Sequence, residues 1–64
     1  MYLATIKPGT LFETEFGMQG IHLESSDGRS IVIVTHCPFA DKEEDKRYYL
    51  GKQNWSQKTE IRRI

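Results

Sequence analysis

The chain has 64 residues, and its nine basic and nine acidic side chains cancel to a net charge of zero. A chain of this length forms one domain with a thin core, so residues 1–64 are expected to fold as a single unit. The balanced charge argues against non-specific binding to nucleic acid or membranes as the main activity. The single cysteine, Cys37, excludes an intrachain disulfide and is typical of a reducing compartment.

The chain contains no segment that is typical of a secretion signal or a membrane span. Its first residues lack the basic start and the apolar central run of a signal peptide. The longest unbroken apolar runs have four residues, and a helix needs roughly 20 to cross a bilayer. The sequence therefore predicts a cytoplasmic protein that does not enter membranes.

Two strands are predicted in the N-terminal third of the chain, over Tyr2–Lys7 and Leu11–Phe16. Both segments alternate in the manner of half-buried strands, and a proline-glycine pair ends the first. The second has one face formed by Phe12, Thr14 and Phe16. A turn bracketed by Gly17 and Gly20 is predicted to follow it.

The strongest local signal is a hairpin between Gly20 and His36. Two β-rich runs, Ile21–Ser25 and Ser30–Thr35, flank an Asp-Gly pair at Asp27. Asp-Gly favours a two-residue type I′ turn, in which both central residues have positive φ. A turn centred on this pair predicts the following cross-strand partners: Ser26 with Arg29, Glu24 with Ile31, Leu23 with Val32, and Ile21 with Val34.

This register predicts how the second hairpin strand is buried. Val32 and Val34 share a face with Leu23 and Ile21, so both valines should be buried. The opposite face carries Ile31 and Ile33 beside His22 and Glu24. A strand that is apolar on both faces normally lies inside a sheet. The second strand is therefore expected in the interior of the sheet, with Ile33 at least half buried.

The C-terminal half begins after Pro38 and contains weaker signals. The segment Asp41–Glu44 has the form of a capping box, which predicts a single helical turn over Lys42–Lys46. Arg47–Gly51 is predicted to be a strand. Lys58–Ile64 is interpreted as the last strand, and a short helix starting at Trp55 is the competing interpretation.

Five to six short strands joined by tight turns are typical of a small antiparallel barrel or a curled meander. The predicted fold of residues 1–64 is thus a single mostly β domain of SH3-like architecture with at most one helical turn. Its large apolar residues suffice for one small core, or for one sheet face plus an interface. Assembly into a homo-oligomer is therefore an open alternative.

The sequence predicts no metal, cofactor or catalytic site, and hence no enzyme. A structural zinc site needs four thiolate or imidazole ligands, but only His22, His36 and Cys37 carry such groups. The predicted register turns the two histidines to opposite faces. Adjacent strand residues point apart, so His36 and Cys37 make a poor base and nucleophile pair. Cys37 is interpreted as a packing residue without a chemical role.

Function is predicted from the aromatic and basic residues near the C-terminus. The candidate partner-binding residues are Tyr48, Tyr49, Lys52, Trp55, Lys58, Arg62 and Arg63. Aromatic rings of this kind anchor protein interfaces. The leading hypothesis is a non-enzymatic binding module, a regulator or inhibitor of another protein of the kind that phages and mobile elements carry.

The alternative function is a nucleic-acid-binding small β-barrel. In that hypothesis Trp55 stacks on bases while four basic side chains contact phosphates, namely Lys52, Lys58, Arg62 and Arg63. A subunit of an oligomeric enzyme with a shared pocket is a third and weaker hypothesis. A protein partner is preferred to nucleic acid because the acidic residues offset these basic ones over the whole chain.

Overall fold

The computed structural model describes all of residues 1–64 and contains one sheet of five antiparallel strands. The strands are β1 (Leu11–Thr14), β2 (Gln19–Ser26), β3 (Arg29–His36), β4 (Gly51–Ser56) and β5 (Ile61–Arg63). A 3-10 turn spans Leu3–Thr5, and one helix, α1, spans Glu43–Tyr49. The strand order is β4-β3-β2-β1-β5. The prediction of a mostly β fold is confirmed, and of its two forms the curled meander is the one that the structure adopts.

The β2–β3 hairpin turns at the predicted position. Asp27 has a φ of 52° and Gly28 a φ of 78°, which are the two positive values that a type I′ turn requires. Next to the turn, Ser26 lies opposite Arg29 and Glu24 opposite Ile31, as predicted. β3 pairs with β2 on one side and β4 on the other, so its interior position is also confirmed.

Further from the turn the predicted register is wrong by one residue. The ladder shifts between His22 and Glu24, where Leu23 forms a β-bulge. The observed partners are His22 with Val32, Ile21 with Ile33, and Gly20 with Val34. They replace the predicted pairs of Leu23 with Val32 and of Ile21 with Val34. A second shift lies between Gln19 and Gly20.

Close packing at Gly20 explains this correction. A Cβ at that position would lie 2.5 Å from the carbonyl oxygen of Ile33 and 3.0 Å from the ring of Phe12. Only glycine fits there, whereas the predicted register would have placed Ile21 at this point of the inner face. The bulge moves Ile21 to the outer face. Gly20, which has no side chain, then occupies the point where β2 comes close to Ile33 and Phe12.

The core lies on the concave face of the sheet. Its members are Leu3, Ile6, Phe12, Met18, Val32, Val34, Cys37, Ala40 and Ile61. The predicted burial of Val32 and Val34 is confirmed, and Ile33 is more than half buried on the outer face. Cys37 is buried in the core, which agrees with its interpretation as a packing residue.

The sheet curls strongly enough to bring two non-adjacent strands together. Phe12 of β1 and Trp55 of β4 are separated by two intervening strands. Their rings nevertheless meet edge to face with centroids 5.7 Å apart. This contact covers the side of the core that the sheet leaves open. The sheet does not close into a barrel, because β4 and β5 are its two edges and do not pair with each other.

The predicted strand over Tyr2–Lys7 is wrong. Tyr2 forms only an isolated bridge with Glu60, and a 3-10 turn follows it. Leu3 and Ile6 are both buried in the core. A strand would place these two side chains on opposite faces, because they are three residues apart. A 3-10 turn brings residues at this spacing to the same side, so it buries both.

β1 ends two residues earlier than predicted, at Thr14. The Thr14 hydroxyl accepts hydrogen bonds from the backbone N–H groups of Phe16 and Met18, both at 3.3 Å. This local bonding makes the turn, and Gly17 adopts a φ of 85° in it. Phe12 and Thr14 are buried as predicted, but Phe16 sits on the turn with 69% of its surface exposed.

Helix α1 is longer than the single predicted turn, and it includes Arg47–Tyr49, which were predicted as strand. The predicted capping box does not form, because the N-cap residue is Lys42 and no side chain caps the helix. Three acidic residues in the first turn and two basic residues in the last complement the helix dipole instead.

The end of α1 is held by β4. The side-chain amide of Gln53 donates to the carbonyl oxygen of Tyr48 at 2.9 Å and to that of Tyr49 at 3.2 Å. These carbonyls have no partner within the helix. The last predicted strand is confirmed in the shorter form of β5, and Trp55 lies in β4 rather than in a helix. No helix has the length and apolar character needed to span a membrane.

Candidate functional site

A groove of about 780 Å³ follows the open side of the curled sheet. One wall is formed by Gln53–Ser56 of β4 together with Tyr48 and Tyr49 at the end of α1. The facing wall is formed by residues 14–16 at the end of β1 and residues 58–60 before β5. Its volume falls within the usual range of ligand-binding clefts.

Aromatic rings dominate one wall of the groove. Trp55 is half-buried, because one edge of the ring meets Phe12 while the rest lines the groove. Tyr49 packs edge to face against Phe39 and against Tyr48, with centroids 5.1 Å and 4.9 Å apart. Tyr48 is the outermost of these rings and is 74% exposed. The core therefore fixes the inner rings and leaves Tyr48 at the rim.

Four of the seven predicted partner-binding residues meet at this groove: Tyr48, Tyr49, Trp55 and Lys58. The ten other lining residues were not predicted from the sequence, and among them Phe16 adds an exposed ring and Arg29 a cation. Strand alternation had placed Phe16 on a buried face. Its position next to Gly17 was the available signal, since a strand followed by glycine usually turns there.

The other three predicted residues lie outside the groove. Lys52 is exposed on β4 opposite Ile33, on the outer face of the sheet. Arg62 and Arg63 are exposed on β5. The strand order separates β4 and β5 by the three other strands. The four basic residues of the nucleic-acid hypothesis therefore do not form one patch.

Arg62 is engaged in a cross-strand ion pair with Glu13 of β1. Its Nε donates to Glu13 Oε1 at 2.7 Å, and its Nη2 contacts the same oxygen. The side-chain amide of Gln19 donates to Glu13 Oε2 at 3.1 Å. The hydrogen bonds from Gln19 and Arg62 lower the pKa of Glu13 below its usual value of 4.5.

This pairing predicts a component of the acid sensitivity of the fold. Because the folded pKa of Glu13 is lowered, its contribution to stability is present above about pH 4.5 and is lost as the pH falls through the lowered value. We expect Glu13→Gln to be less sensitive to acid than the wild type, as measured by urea denaturation at successive pH values. Glu24→Gln, an exposed change on β2, should retain the wild-type sensitivity. Equal acid dependence of all three proteins would contradict the assignment.

His22 and His36 lie on opposite faces of the sheet, but each on the face predicted for the other. His22 is only 1% exposed. Its Nδ1 lies 3.0 Å from the carbonyl oxygen of Ile6, and its Nε2 lies 2.8 Å from the hydroxyl of Ser25. That hydroxyl also contacts the hydroxyl of Ser30 at 2.8 Å. His22 faces inward because the β-bulge at Leu23 reverses the faces of the β2 residues that precede it.

Aromatic, polar and oppositely charged side chains line the groove. No histidine or cysteine lines it, and its charged residues are Glu15, Glu60, Arg29 and Lys58. No group of three or more His, Cys, Asp or Glu side chains is arranged to hold a metal ion. In comparisons with known proteins, no family model, no curated protein and no solved structure matches the chain.

Proposed function

We propose that the protein is a non-enzymatic binding module that holds a segment of another protein in the groove. The observation that carries this proposal is the gathering of Tyr48, Tyr49, Trp55 and Phe16 around one groove. Tyr48 and Phe16 expose most of their ring surface to water. Partly exposed tyrosine and tryptophan side chains held by a rigid scaffold are the usual anchors of protein interfaces.

The charges around the groove support a protein partner more than nucleic acid. Two acidic residues, Glu15 and Glu60, accompany two basic ones, Arg29 and Lys58. A groove for single-stranded nucleic acid combines stacking rings with a continuous basic track. Arg29 is also engaged, because its guanidinium donates to Asn54. The equal numbers of acidic and basic residues at the groove favour a polypeptide as the partner. We further propose that the protein acts in the cytoplasm as a regulator or inhibitor of that partner.

The first test substitutes the exposed ring at the rim. Peptides selected from a displayed random library on the immobilised protein provide the probe. Tyr48→Ala is expected to weaken binding of the selected peptide by about 2 kcal/mol or more, roughly 30-fold, as at an interface hot spot. Titration calorimetry measures this loss. Because Tyr48 is 74% exposed and packs edge to face on Tyr49, the free energy of unfolding should change by no more than about 1.5 kcal/mol.

The matched control is Tyr2→Ala, which removes a second exposed tyrosine that lies outside the groove. It is expected to leave the peptide affinity unchanged. Selected peptides that bind both variants equally well would contradict the proposal. Binding to a single-stranded oligonucleotide, falling with log salt at roughly −0.7 per phosphate contact and lost on charge reversal of Arg62 and Arg63, would favour the alternative function.

A further inference from the structure

We infer that the partner segment binds as an extended strand, which adds to the free edge of β4 and occupies the open side of the sheet. This inference rests on the proposed function, because it specifies how the groove is filled. It predicts that backbone hydrogen bonds supply part of the affinity and that side chains in the groove supply the specificity, as in other cases of strand addition.

The direction of the β4 backbone groups carries the inference. The backbone N–H of Gln57 donates to the carbonyl oxygen of Gly28 at 3.0 Å, which continues the β3–β4 register by one pair. Hydrogen-bonded and non-hydrogen-bonded pairs alternate in an antiparallel ladder. Trp55 and Gln53 therefore bond to β3, whereas Lys52 and Asn54 direct their N–H and C=O groups to the other side.

No strand lies on that other side, since β4 is an edge of the sheet. The groove does lie there. It is lined by four consecutive residues, Gln53–Ser56, whose side chains alternate between the two faces. A space that touches all four must run along the edge of the strand rather than over one face. The groove is thus the position that a sixth strand would take.

Some of the outward backbone groups of β4 already have hydrogen-bond partners, so a ligand can bond only to the others. The Nη2 of Arg29 donates to the carbonyl oxygen of Asn54 at 2.9 Å. The carbonyl oxygen of Ser56 accepts from the N–H of Thr59 at 3.0 Å. The outward groups that remain are the N–H and C=O of Lys52 and the N–H groups of Asn54 and Ser56. Donors and an acceptor at this spacing match the backbone of an extended peptide.

The shape of the groove selects a lone segment rather than a second copy of the chain. Residues 58–60 and Phe16 wall the side that faces β4. If β4 of a second copy paired with this edge, the β3 of that second copy would lie about 4.8 Å beyond the added β4. The added β3 would then collide with this wall. A segment that carries no sheet of its own meets no such obstacle.

Lys52 indicates the charge of the segment. Its side chain is exposed, and the ion pairs of the structure involve other residues. A strand paired with β4 would place one side chain beside Lys52 on the outer face, and the side chain three positions away opposite Trp55 on the groove face. Opposite charges in such cross-strand positions attract. The expected ligand is an extended peptide with an acidic residue three positions from a large apolar one.

The test removes the outward N–H of Lys52 without disturbing the β3 ladder. Lys52→Pro deletes this donor, and proline is tolerated on edge strands where the N–H faces away from the sheet. We expect it to weaken binding of the library-selected peptide about tenfold. Lys52→Ala, which keeps the N–H, is the matched control and should weaken binding less than about threefold.

A second measurement does not depend on the folding of the proline variant. N-methylation of the peptide, one residue at a time, should weaken binding about tenfold at alternate positions and leave the positions between them unaffected. If Tyr48→Ala weakens binding while neither Lys52→Pro nor the alternating methylation does, strand addition is overturned and the proposed function stands. If no selected peptide depends on Tyr48, both fail. Concentration-dependent dimerisation that Lys52→Pro abolishes would overturn the choice of a foreign segment.

Discussion

Replacing Phe12 by alanine is expected to unfold much of the protein at 25 °C. Phe12 has no exposed surface and packs edge to face against Trp55. Truncation of a buried phenylalanine costs about 3–5 kcal/mol. A domain of this size has a total stability of roughly 3–5 kcal/mol, so the variant would retain little of it. Urea denaturation followed by circular dichroism measures the difference.

Phe16→Ala is the matched control for this change. The same side chain is removed from a position that is 69% exposed, so the free energy of unfolding should change by less than about 0.5 kcal/mol. A loss below about 1 kcal/mol for Phe12→Ala would show that the contact between β1 and β4 does not hold the curl of the sheet.

Gly20→Ala is expected to be the second most damaging change, although it adds only one methyl group. The new Cβ would lie 2.5 Å from the carbonyl oxygen of Ile33 and 3.0 Å from the Phe12 ring. Overpacking costs about 1–3 kcal/mol, and we expect the upper end because a backbone atom in the middle of the sheet cannot move aside. Thermal and urea denaturation both measure the loss.

Two comparisons identify the cause. Gly9→Ala meets no atom within 4 Å but has a φ of 89°, so its cost of about 1 kcal/mol reflects backbone conformation alone. Adding Phe12→Leu to Gly20→Ala relieves the contact with the ring but not the contact with Ile33. The double variant should therefore be no more stable than Gly20→Ala. If the double variant were more stable than Gly20→Ala, the steric clash would be with the Phe12 ring instead.

The features that were predictable from the sequence are those that depend on neighbouring residues. The Asp-Gly pair at Asp27 specifies its turn through the φ values of two residues. The interior position of β3 follows from apolar residues on both of its faces. The bulge at Leu23 was not predictable, because its cause is the packing of Gly20 against Ile33 of β3 and Phe12 of β1. The register therefore depends on a contact that no local pattern contains.

The same reason accounts for the errors at α1. Two adjacent tyrosines favour a strand by propensity. In the structure they end a helix whose last carbonyls are bonded by Gln53. Tyr49 is also held by Phe39 from the preceding segment. Packing and hydrogen bonding with distant residues outweigh the local preference.

The candidate site was predictable in composition but not in arrangement. Aromatic and basic residues near the C-terminus were recognised, and four of the seven line the groove. Whether they meet depends on the curl of the sheet, which places β4 and β5 on separate edges. That arrangement removed Arg62 and Arg63 from the site and brought in Phe16 from the other end of the chain.

The bulge at Leu23 also bears on how the length of this chain can vary. Removal of one residue from a strand normally turns every later side chain to the opposite face. Here His22 and Glu24 already occupy consecutive positions of the ladder, opposite Val32 and Ile31. Deletion of Leu23 would leave every other cross-strand partner unchanged. The hairpin thus has one position at which a single-residue deletion is neutral for strand pairing and alters only the local bend.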